Sequence, residues 1–149
     1  MNEFDFGTTP FNGLESFENP DQTRRYSIDF TCPEWTAVCP RSGFPDFGTI
    51  HIEYEPRAAC VELKSLKLYI NSYRNVGIFH EAAVNKILTD LVRATRPWKM
   101  EVWGDFNVRG NIKTIIRAKF QAEDYETAGP SGQVSANPGL ANPILEGNK

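Results

Sequence analysis

Between residues 79 and 95 the apolar side chains of Phe79, Ala83, Val84, Ile87, Leu88, Leu91 and Val92 recur at helical spacing, and Pro97 closes the run. A stripe of that width predicts a helix with one face committed to a core. The remaining segments supply what it packs on. Alternation at period two predicts strands over residues 25–31, with Tyr26, Ile28 and Phe30 on one face, and over 48–55, with Ile50, Ile52 and Tyr54 on one face and Pro56 as the stop. Residues 99–108 and 112–120 read as two further strands, joined by a tight turn at Arg109-Gly110-Asn111. Residues 62–73 satisfy both periods: Leu66, Leu68 and Ile70 fit a strand, whereas Leu66, Tyr69, Ile70 and Tyr73 fit a helix. Their Lys- and Leu-rich content favours helix. The order ββααββ predicts an α+β fold, an antiparallel four-stranded sheet with two helices on one face. Such a sheet has two open edges, and joining them between copies is one way to remove that liability, so an oligomer is expected.

The chain of 149 residues is one domain on size, with a core expected over residues 22–122. Residues 1–21 mix Phe with Asp, Glu, Asn, Gly and Pro and read as an extended arm. Residues 123–149 form an expected flexible tail, because the run from Gly129 onward is too rich in Gly, Pro, Ser, Asn and Ala to bury much apolar surface. Sixteen Lys and Arg against nineteen Asp and Glu leave a net charge of −3, which argues against a general nucleic-acid binder. The N-terminus, MNEFDFGTTPF, is acidic where a signal peptide starts basic, and no apolar run reaches membrane-spanning length, so a cytoplasmic protein is expected, with no membrane partner. Cys32, Cys39 and Cys60 are odd in number, which disfavours a disulfide framework. His51 and His80 lack zinc-ligand spacing to them, so no metal site is expected.

Three stretches carry chemistry. In Cys39-Pro40-Arg41-Ser42-Gly43-Phe44-Pro45-Asp46 a thiol and a carboxylate share a loop whose backbone is restrained by two prolines, with Arg41 close enough to favour thiolate. A nucleophilic thiol beside a proton donor suits addition to an electrophilic carbon; a polar surface loop with a passive cysteine is the commoner meaning of such a loop. Lys64 and Lys67, three residues apart on one helix face, suit phosphates, or are a solvated basic face. Phe79-His80-Glu81 opens the second helix. Glu81 suits either the helix dipole or the N–H edge of a guanine-like ring, and His80 has the side chain of a proton relay, although a lone histidine is more often structural.

Taken together, Cys39–Asp46, the run Glu62-Leu63-Lys64-Ser65-Leu66-Lys67-Leu68-Tyr69 and Phe79-His80-Glu81, in that order and spacing, resemble the NADPH-dependent nitrile reductases of queuosine biosynthesis, the 7-cyano-7-deazaguanine reductases. Cys32-Pro33-Glu34-Trp35-Thr36 and Glu101-Val102-Trp103-Gly104 also match the family style, and the resemblance spans roughly residues 24–118. It implies a tunnelling fold, in a short single-module form whose subunits join edge to edge into rings, typically a decamer of two pentamers, with active sites between subunits. It implies reduction of the nitrile of 7-cyano-7-deazaguanine to an aminomethyl group with two NADPH, through a covalent thioimide. By the same resemblance Cys39 is the nucleophile, Asp46 the general acid and His80 an aid to proton transfer that also touches substrate. Glu81 grips the deazaguanine, Glu62, Leu63 and Lys64 contact its other side, and Lys64, Lys67 and Arg109 meet the NADPH phosphates. The chain has no Gly-rich dinucleotide fingerprint. One alternative is a thioimide-forming relative that modifies nitrile-bearing tRNA without NADPH; the other is a ring-forming or ligand-binding protein with an inert Cys39.

Overall fold

The computed structural model describes residues 12–123. Strands β2 (Ile28–Val38), β3 (Pro45–Glu55), β5 (Lys99–Arg109) and β6 (Ile112–Gln121) form one antiparallel sheet in the order β2-β3-β5-β6. Helices α1 (Leu63–Asn71) and α2 (His80–Thr95) lie between the two hairpins in sequence, with a single 3-10 turn, Ser72–Asn75, after α1. This is the ββααββ order read from the sequence. The two-fold alternation of β3 and β5 sends Ile50, Ile52, Tyr54, Met100, Val102 and Phe106 into the core, where they meet Leu66, Tyr69, Val84, Ile87 and Leu91 of the helices.

The segment that fits both periods is helical from Leu63 to Asn71. Glu62 caps it, its carboxylate accepting from the N–H groups of Lys64 at 2.9 Å and Ser65 at 2.7 Å. α2 stops where Arg96 turns left-handed at φ 44°, one residue before Pro97, whose ring bars the preceding residue from continuing the helix. A buried clasp joins the helices: Tyr69 donates to Asp90 at 2.6 Å and meets the Tyr73 hydroxyl at 2.9 Å, while Lys86 reaches Asp90 at 3.2 Å from the half-buried side. The β5–β6 turn has φ of 55° at Gly110 and 66° at Asn111, the two positive values that a tight hairpin matched to strand twist needs.

Two features depart from the sequence reading. The first strand does not end at Thr31. It runs on to Val38 through an irregularity between Cys32 and Trp35, where β2 advances three residues while β3 advances two, from Ile50 to Gly48. Pro33, which has no N–H to give a ladder, sits in this bulge. The gap between the two expected strands, residues 32–47, therefore shrinks to residues 39–44. Within the N-terminal segment, β1 (Ser16–Glu18) pairs with β4 (Ala59–Val61) as a separate two-stranded sheet, locked by Val61 N–H donating to Tyr54 Oη at 2.9 Å. A strand of three exposed residues is too short to show a period. Residues 1–11 of the expected arm, and all of the expected tail except Glu123, lie outside the described residues.

Candidate active site

The bulge decides where Cys39 ends up. Before it, β2 turns Ile28, Phe30 and Cys32 toward the core; after it, Trp35 and Ala37 take that face. Cys39 continues the second parity just past the strand. The register places Ala37 opposite Asp46 and Val38 opposite Pro45, so the two ends of the Cys39–Asp46 stretch are neighbours across a short turn. That turn closes on itself, with Cys39 N–H donating to Phe44 O and Gly43 N–H to Cys39 O, both at 2.9 Å.

The same strand end recruits α2. Val38 N–H donates to Val76 O at 2.9 Å, and Ile78 N–H donates to Val38 O at 3.1 Å. The segment leading into α2 is thereby stitched to the residue before Cys39, and His80, the first residue of the helix, faces Asp46. His80 Nε2 is buried, 3.5 Å from Asp46 Oδ2, a distance that becomes an ion pair when the imidazole is protonated. The imidazole lies flat on Phe106, with centroids 3.8 Å apart and planes 3° from parallel. From the hairpin end Arg109 Nη2 donates to Asp46 Oδ1 at 2.8 Å and also to the Pro45 carbonyl. Asp46 is buried and holds these two partners on its two oxygens.

The thiol of Cys39 is held below the ordinary thiol range. The Ser42 hydroxyl, which hydrogen-bonds the sulfur, is the main cause; the Ser42 and Arg41 backbone N–H groups add to it. Partial burial and the Asp46 charge work the other way. Arg41 thus acts through its backbone rather than through the guanidinium that the sequence suggested. Ser42 Oγ also accepts from Phe44 N–H at 3.2 Å, which fixes the hydroxyl for donation to sulfur. Cys32, in mid-strand, has its thiol pushed up to about 11 by burial.

Cys39, Asp46, His80 and Arg109 are therefore brought together from four places in the chain, and Glu81 follows His80 on the exposed side of the first turn of α2. Glu62, Leu63, Lys64 and Lys67 form a second group around the start of α1. Leu63 and Lys67 line a groove of about 350 Å³ against Phe30, Cys32, Trp35 and Ile70, with mostly apolar walls. Lys64 and Lys67 are exposed cations, and the groove beside them has aromatic and aliphatic walls. That chemistry fits a dinucleotide, with its flat rings and its phosphates. Arg109, expected among the phosphate ligands, has its guanidinium on Asp46. The sequence reading missed Ser42 as the sulfur's partner and Phe106 as the platform under His80. Ser42 stood inside the quoted motif, but nothing in a sequence marks which hydroxyl turns toward a thiol.

The fold is shared with known proteins. The QueF-like protein family matches residues 45–125, and the chain belongs to that family. Among curated relatives, the NADPH-dependent 7-cyano-7-deazaguanine reductase of Halorhodospira halophila is 55% identical over 112 residues, covering 75% of this chain and 95% of that protein. The enzyme of the same name from Thioalkalivibrio sulfidiphilus is 48% identical over 121 residues, covering 81% of this chain and 94% of its own. Among solved structures, an archaeosine synthase QueF-Like in the apo form superposes with a TM-score of 0.57 over 66% of this chain and 93% of that one. At 22% identity that likeness speaks for the fold alone.

Proposed function

We propose that the protein is an NADPH-dependent 7-cyano-7-deazaguanine reductase, converting the nitrile to a primary amine. The observation that carries this reading is the lowered thiol of Cys39 set beside Asp46 and His80, in a chain about half identical to reductases of that name along nearly their whole length. Those relatives are named for NADPH, which favours the reductase over a transferase working without a reductant.

In this reading Cys39 Sγ adds to the nitrile carbon. One carbon–nitrogen π bond opens, a sulfur–carbon bond forms, and the thiol proton passes through Asp46 to the nitrogen. The resulting thioimide is a better hydride acceptor than the nitrile, which divides a difficult four-electron reduction into two steps. NADPH, when bound, supplies hydride, one equivalent for each of two reductions. Between them the sulfur–carbon bond breaks, Cys39 leaves as thiolate and an imine remains. Asp46 and His80 provide the protons that nitrogen takes up, and Arg109 holds the Asp46 carboxylate in place for that exchange. Glu81 accepts from the N–H edge of the deazaguanine. Glu62, Leu63 and Lys64 contact the ring's other side, with Glu62 kept ionised by the backbone N–H groups it caps. Lys64 and Lys67 hold the cofactor phosphates.

The sheet leaves β2 and β6 as its outer strands. In this reading copies of the chain pair these strands into rings, a decamer of two pentamers, with each site completed by a neighbour; native mass spectrometry gives the number. Among the described residues no helix is long and apolar enough to cross a membrane, and a cytoplasmic setting is the one proposed. The test of the activity is direct: pure protein, 7-cyano-7-deazaguanine and NADPH, followed by nicotinamide absorbance. Two NADPH consumed per nitrile are expected. Covalent mass from the nitrile without any NADPH consumption would move the reading to a transferase, and neither signal would end it.

A further inference from the structure

We propose that Phe106 is a positioning residue for the reduction, fixing the plane of the His80 imidazole against Asp46. The inference rests on the reading of His80 as a proton carrier. Phe106 is fully buried and carries no polar group, so it does not meet the reacting atoms with any chemistry of its own. Its place is nevertheless specific. A Cβ on Gly104 would fall 2.5 Å from two atoms of the Phe106 ring, and one on Gly48, directly across the ladder, 2.8 Å from a third. Real side chains do not tolerate either distance, so the ring occupies space that only glycine leaves at both positions. Trp35 closes its flank edge-on, with centroids 5.5 Å apart and planes at 72°. One face of the ring is left for His80, which stacks on it at 3.8 Å.

His80 needs such a platform because its other restraints are weak. It opens α2, so it lacks the preceding helical turn that limits side-chain rotation deeper in a helix. Its cap residue, Phe79, offers no side-chain hydrogen bond. Nε2 stands 3.5 Å from Asp46 Oδ2, too long for a bond that would set the ring by itself. Stacking is what holds the imidazole in one plane, and proton transfer is sensitive to such placement.

The experiment is a double-mutant cycle of Phe106→Leu and His80→Ala in the full chain. Phe106→Leu is expected to lower kcat about tenfold, with KM for 7-cyano-7-deazaguanine changed less than about twofold, and to leave the yield of the Cys39 adduct formed without NADPH unaltered. In the His80→Ala background the same substitution is expected to cost less than about twofold, since there is no imidazole left to place. An undiminished loss in that background would mean that Phe106 acts on packing alone and would overturn the proposal, as would a full rate in Phe106→Leu. A full rate in His80→Ala by itself would overturn the underlying role of His80, and that single variant reveals it separately. Should Phe106→Leu fail to fold, Phe106→Met, a flexible apolar replacement without a ring, runs the same cycle.

Discussion

Cys32 and Cys39 lie seven residues apart around one strand, and the structure treats them oppositely. Cys32 is held inside β2 with burial as the cause of its raised thiol, about 11. Cys39 stands one residue past the strand, where the chain turns and three hydrogen-bond donors come within reach of its sulfur. Both residues are partly exposed as a whole. Two things separate the sulfurs: burial, which raises Cys32 and only weakly opposes ionisation of Cys39, and the donors that solvate a negative sulfur at Cys39. A strand spends its N–H groups on its neighbours, whereas a turn leaves them free to point at a side chain. The contrast also assigns Asp46 a double part. Its charge opposes thiolate at Cys39, and Arg109 is placed to neutralise that charge.

Breaking the contrast outright has the largest expected effect. Cys39→Ser should abolish nitrile-dependent mass addition and lower turnover by about 10³-fold or more, while Cys32→Ser leaves both nearly intact; intact-protein mass spectrometry with the nitrile reads this. Next, Asp46→Asn removes the proton carrier and is expected to lower turnover about 10²-fold or more. Because the same change removes a charge that disfavours thiolate, alkylation of Cys39 by iodoacetamide should become faster, not slower. Loss of both rates together would argue that Asp46 acts only on the fold.

Ser42→Ala sharpens the comparison further. A thiol lowered in the folded protein is ionised at a pH where an ordinary thiol is still protonated, so removing its main donor moves the alkylation midpoint of Cys39 upward in pH. The rate at pH 7 should fall several-fold, about 3- to 10-fold, with Cys32 unmoved at its high midpoint. The smallest effect is expected from Arg109→Gln. Its guanidinium is about half exposed, and a screened pair of this kind is worth about 1 kcal/mol or less, a change of at most about fivefold in kcat. If KM for NADPH rises well beyond that while kcat holds, Arg109 serves phosphates after all.

The site was legible in uneven measure. Cys39, Asp46, His80 and Glu81 stood out because reactive residue types were packed into short motifs, and the helix of α1 was legible from composition once its stripe was counted. The β2 bulge was not, because the alternation of the first strand breaks at Cys32-Pro33 and only a partner strand shows that it resumes at Trp35. The Arg109–Asp46 contact was not legible for a related reason: a cation on a hairpin tip shows no partner until the hairpin is set beside residue 46.

The sequence by itself determined the order of the four long strands and of α2, since period-two and helical stripes depend only on neighbours a few residues away. It also determined which reactive side chains are available for chemistry, since a thiol or an imidazole keeps its identity wherever it lands. The tertiary structure alone decided that one extra residue in β2 changes which residues of the strand leading to Cys39 face the core. It decided that Val38 draws His80 toward Asp46, that Arg109 reaches a carboxylate 63 positions earlier, and that two glycines leave room for Phe106. Those contacts depend on strand register and on which strands are neighbours, and both are fixed only when the sheet closes over its core as a whole.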